Sequence, residues 1–179
     1  MRIKLRWCLP LLAGLLLAPP VRAGDIGWQE AVARMAAERT QAIACVRLLK
    51  KYGSAAAIDR GSLVYADAKA EYDGIIAGLD VALARAEPPS SLPDLEARLR
   101  RGFAKRAAFC GSVSPLIPAD SGSKGVIDEI VSGAVGPLIQ AVQAIYLRIR
   151  DDNAAARKTI ATELEATSWP SFASVSSSS

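Results

Sequence analysis

The stretch YADAKAEYDGIIAGLDVALARA, residues 65–86, decides the fold. Its Tyr65, Ala68, Tyr72, Ile75, Leu79, Ala82 and Ala86 step by alternating threes and fours, the spacing of a helix that buries one seam against its neighbours. Pro88-Pro89 closes the run, because proline lacks the N–H that the next turn needs.

Reading outward, Trp28, Val32, Met35, Ile43 and Val46 predict a first helix from Asp25 to about Lys51, stopped by Tyr52-Gly53-Ser54. Arg47, Lys50 and Lys51 fall in its last turns, where cations suit the negative end of the helix dipole. Ser54 to Arg60 reads as a short helical lead-in before Gly61-Ser62. On the far side, Ser91-Leu-Pro-Asp94 has the form of a helix start. Leu92, Leu95, Leu99, Phe103 and Cys110 mark one face of a third helix ending near Gly111. A Pro/Gly/Ser-rich connection covers 112–123. The last helical region runs from about Lys124 to Ala166, with Ile127, Ile130, Ala134, Leu138, Ala141, Ile145 and Ile149 as its stripe and Pro137 bending it near the middle.

The expected architecture is therefore all-α: an antiparallel up-down bundle of about four helices, the last long and bent near Pro137. Composition agrees, since much of the 51% hydrophobic content is Ala and aromatics are only 6%. Charge agrees as well. Residues 59–87 carry six acids and three bases, and residues 94–106 carry two acids and five bases, which makes these two helices neighbours. The domain is expected to span 24–170, with a Ser-rich flexible tail at 171–179 in which Phe172, like Trp169 before it, is able to fold back.

Residues 1–23 read as a cleaved signal peptide. Arg2, Lys4 and Arg6 precede an apolar run from Trp7 to Ala18, and Val21-Arg22-Ala23 supplies the small residues before a cut at Gly24. The run is shorter than the roughly 20 residues a spanning helix needs, so no stable membrane anchor is expected after cleavage. The expected location is the periplasm, or outside the cell. Four of the 22 bases and none of the 18 acids lie in this leader, so the chain from Gly24 onward is formally neutral. A global electrostatic case for nucleic acid disappears with it.

Cys8 leaves with the leader, and Cys45 and Cys110 remain. In an oxidising compartment two cysteines pair. Each lies about 30 Å along its own predicted helix at ~1.5 Å per residue, so a disulfide between the first and third helices is expected.

The chain has no histidine. That excludes His-based triads, His-ligated zinc, ExxH di-iron motifs and axial His ligation of haem, and no cofactor is expected. Asp151-Asp152-Asn153 lacks the spacing of an EF-hand and reads as a solvated acidic patch, so no metal is expected. Tyr65 and Lys69 have the spacing of a Tyr–Lys proton-relay dyad, but no GxGxxG follows a strand to hold a nicotinamide. Glu71 and Asp73 point apart on one helix and Asp80 lies about 10 Å from Asp73 by rise, a poor carboxylate pair for hydrolysis; bases such as Arg98, Arg101 and Lys105 are their expected partners.

Two surfaces remain as binding candidates. Arg98, Arg100, Arg101, Lys105 and Arg106 form the densest basic run, either paired to the acidic helix or a docking face for an acidic partner. Gly74 and Gly78, with Gly133, Gly136 and Pro137, mark either close packing or a gap that admits a small ligand. The functional expectation is a non-enzymatic interaction protein of the bacterial periplasm, for example an inhibitor or immunity-type binder of an envelope enzyme; the alternative is a small-molecule carrier. An envelope protein is the expected partner. Intact mass of protein recovered by osmotic shock is expected to start at Gly24, and Ala23→Arg is expected to leave the leader attached. A recovered product that still carries Arg2 to Arg22 would refute cleavage before Gly24, and absence of the protein from the shock fluid would refute export.

Overall fold

A computed structural model describes residues 27–85, 92–151 and 154–176. The signal-peptide reading of 1–23, the Ser91 cap, the Asp152-Asn153 patch and the tail at 177–179 lie outside these residues. The protein is all-helical, with six α-helices among the described residues and one disulfide. They are α1 Trp28–Tyr52, α2 Ala55–Arg85, α3 Leu92–Val113, α4 Gly122–Ser132, α5 Gly136–Asp151 and α6 Ala154–Glu165, with a short 3-10 turn at Ser114–Leu116.

The expected arrangement of about four helices needs correcting at two places. Ser54 to Arg60 is no separate lead-in, because α2 runs unbroken through Gly61. Gly61 is buried where α1 crosses α2, and a Cβ there would overlap the Leu49 side chain. The glycine serves close approach, not a chain break. The single long helix over 124–166 is instead α4, α5 and α6. Gly133 leaves α4 in an extended conformation, and α4 and α5 differ in direction by 60°. Pro137 is the second residue of α5, where its missing N–H costs nothing, so it starts a helix rather than bending one. Sequential up-down pairing fails too: α2 lies along α3, but α1 packs mainly on α5, and α6 lies on α2. α3 ends two residues past Gly111, where Ser112 Oγ donates to Phe109 O at 2.7 Å.

The heptad seam is the buried face of α2: Tyr65, Ala68, Tyr72, Ile75, Leu79 and Ala82 are all buried. Cys45 on α1 and Cys110 on α3 are bonded, with Cα atoms 5.4 Å apart and both side chains fully buried. Closing that 65-residue separation removes freedom from the unfolded chain worth about 4 kcal/mol on an entropic reckoning.

A charged cluster sits within this apolar interior. Arg106 on α3 is fully buried and donates through Nε and Nη2 to the Glu38 carboxylate on α1, at 3.0 and 2.9 Å. Its Nη1 donates to Ile130 O on α4 at 2.7 Å. The Tyr72 hydroxyl donates to Glu38 Oε2 at 2.8 Å. Burial, with the Glu38 carboxylate beside it, pushes the Tyr72 phenol far above its ordinary value, so it remains a donor.

Residues 166–176 form a strap over this cluster. Trp169 stacks on Tyr72 with ring centroids 4.3 Å apart, and the Tyr65 hydroxyl donates to Pro170 O at 2.9 Å. Burial raises the Tyr65 phenol to about 12, which keeps that donor protonated as well. Arg39 Nε donates to Ser168 O at 2.8 Å, and Lys50 Nζ donates to Val175 O. The tail expected from residue 171 onward is thus packed through Val175, which is buried.

Removing one member of a buried ion pair strands the other charge, at a cost of about 3–5 kcal/mol. Glu38→Ala is expected to lose that much stability in urea unfolding. Glu38→Leu/Arg106→Met, which removes both charges, is expected to lose far less. Equal losses would show that the pair does not organise the core.

Candidate functional site

The basic run is divided by helix geometry. Arg98, Arg101 and Lys105 project from α3 toward α2, where all three reach Glu71, at 3.6, 3.2 and 3.1 Å. Lys105 also reaches Asp67 at 2.9 Å. Arg100 is exposed. The pairing with the acidic helix is thus realised by Arg98, Arg101 and Lys105. Arg106 is withdrawn into the core by Glu38, so the alternative of a five-residue docking face does not exist as a unit. The reason is the 100° step of the helix, which sends neighbouring positions to different sides. Burial pushes the Glu71 carboxyl up, but hydrogen bonds and charge from Arg101 and Lys105 outweigh it and hold Glu71 below its usual range. The charge complementarity between the second and third helices is thus realised through Glu71 and Asp67. Asp73 pairs instead with Lys69 on its own helix, one turn away.

The glycines do not converge either. Gly74 lies beneath the Arg98 side chain and Gly78 beneath Leu95, so both serve the approach of α3. Gly133, Gly136 and Pro137 are exposed at the α4–α5 break, and Pro137 O accepts a hydrogen bond from Arg34 on α1. Close packing is thus realised at Gly74 and Gly78, and the alternative of a gap between the two sets is not, because different helices approach each.

A cavity lies elsewhere, between α2 and α6, with a volume of about 680 Å³. Ile76 and Leu83 of α2 form its buried floor, and Ala84, Ala154 and Ala161 line it with small side chains. Its rim is charged. Asp80 and Glu165 stand at one end, while Arg157 and Lys158 come from the early part of α6. Partial burial and the nearby Glu165 raise Asp80 above its ordinary value. Most of the rim is exposed, so the cavity is an open groove rather than a closed chamber.

Two carboxylates on α6 oppose its dipole. No acid occupies the first turn and no base the last, whereas Glu163 and Glu165 crowd the C-terminal end. A carboxylate in the last turn costs a helix about 0.3–1 kcal/mol, a cost that falls on Glu163 and Glu165. The groove is not legible in the sequence because its two walls are 70 or more positions apart, Ala84 and Ala154 being the nearest pair. The order of bases before acids over residues 157–165 was the available signal.

Ser114, Lys124 and Asp128 also meet: Lys124 Nζ bonds Ser114 Oγ and lies 3.1 Å from Asp128, and Ser114 Oγ donates to Asp128 at 2.9 Å. A Ser–Lys pair is nucleophilic only when the amine is free to accept a proton. Here the amine is committed to a carboxylate that its hydrogen bonds, with those of Ser114, hold below the usual range. Among the described residues no group of three or more Cys, Asp or Glu side chains is placed to hold a metal ion. No single helix among them is long and apolar enough to cross a membrane. Comparison with protein-family models, curated proteins and solved structures finds no match to the chain.

Because Glu71 is depressed in the folded state, the stability it contributes is present above the unfolded value of 4.5 and is lost as pH falls through the folded one. Urea midpoints are expected to drop on acidification below about 4.5, with a shallower drop in Glu71→Gln. Parallel pH profiles for the two proteins would count against the Glu71 clasp.

Proposed function

We propose that this chain is an exported, non-enzymatic helical protein of the bacterial periplasm that binds an envelope protein through the groove between α2 and α6. The observation that carries this reading is the groove itself, an apolar floor under a rim of both charge signs. Buried apolar area supplies affinity in such a site, while rim charges select the partner and its orientation. The groove is open along its length, which suits a protein segment better than an enclosed small molecule. Export is supported by the leader pattern of residues 1–23 and by the Cys45–Cys110 bond. An inhibitor or immunity-type role toward an envelope enzyme fits a neutral, rigid binder with its docking site on two packed helices.

A photoreactive residue placed at Ala84 or Ala161 in living cells is expected to give a discrete crosslinked product in the periplasmic fraction. The same residue at exposed Ala104 on α3 is expected to give none. Absence of a product at both groove positions, or protein found only in the cytoplasm, would overturn the proposal.

A further inference from the structure

We infer that the groove receives a helical segment of its partner, one carrying a basic and an acidic side chain two turns apart on its docking side. This rests on the reading of the groove as a partner site and adds the chemistry of the occupant. Lys158 and Glu165 are seven residues apart on α6, about 10 Å along the axis, and both line the groove. Asp80 from α2 adds to the acidic end, and Arg157 adds to the basic end. The groove is therefore bipolar along its length, and an occupant of one charge sign meets repulsion at one end. Side chains two turns apart on a docked helix lie on one face at the same spacing, so a helix matches both ends at once.

Size points the same way. Ala84, Ala154 and Ala161 let a backbone approach closely, and the buried floor of Ile76 and Leu83 offers apolar contact between the charged ends. The order of charge on α6, bases before acids along the groove, is what an acid-and-base-bearing partner helix requires.

The test is a selection. A phage-displayed library of amphipathic helices, with flanking positions randomised among Lys, Glu and Gln, is panned on the disulfide-bonded mature protein. Enriched helices are expected to carry a Lys and a Glu two turns apart. Their binding is expected to weaken about fivefold on Lys158→Glu and similarly on Glu165→Lys, both exposed positions that leave the core untouched. Ala161→Trp, checked for retained helicity, is expected to abolish it by filling the groove. Enriched helices of a single charge sign, no enrichment, or binding indifferent to Lys158→Glu overturns the inference. Should crosslinks form at Ala84 and Ala161 in cells while no bipolar helix is selected, the partner site stands and only the bipolar helix falls. Failure of both experiments removes the two together.

Discussion

The contact between Glu38 and Arg106 constrains everything around it. Two charges removed from water are tolerated only where each finds its full set of partners. Here those partners come from four helices: the carboxylate from α1, a phenol from α2, the guanidinium from α3 and a carbonyl from α4. Shifting α1 or α3 by a fraction of a turn strands a buried charge, and shifting α2 or α4 removes one of its hydrogen bonds. Apolar packing alone tolerates such slips more readily, so the ion pair narrows the helices to one arrangement.

The other cross-links work around that centre. The disulfide ties α1 to α3 about two turns from Glu38 and one turn from Arg106, and so holds the two helices that share the ion pair. Arg98, Arg101 and Lys105 clasp Glu71 on the outer side of α3, fixing α2 against it in rotation. Trp169 then covers Tyr72, and the strap that carries it is held by Arg39, Tyr65 and Lys50. Because Ser168 also lines the groove, the strap and the groove share a boundary. The groove thus rests on the buried side chains of Ile76 and Leu83, and its charged rim can face solvent without weakening the core.

Much of the helical content was legible because its signals are local. The seam from Tyr65 to Ala82 needs only the 3.6-residue period, and the acidic and basic halves of α2 and α3 needed only a count of charges. The same local reading misplaced Gly61, which packing uses for close approach, and Pro137, which begins a helix instead of bending one. It put Arg106 in a surface cluster, since nothing near Arg106 in the chain announces an acid 68 positions earlier. Glu38 was overlooked for the same reason: a lone acid in an amphipathic helix looks like any solvated one.

What the chain determined by itself is helicity, the buried seam of α2 and the matching of α2 with α3. It also pointed to the pairing of Cys45 with Cys110. Each follows from periodicity, composition or the small number of possible partners. Only the tertiary structure decided which helices lie side by side after α3, which arginine leaves the surface and where a groove opens. Those outcomes depend on contacts between distant segments, and they are settled by desolvation and shape once the helices meet.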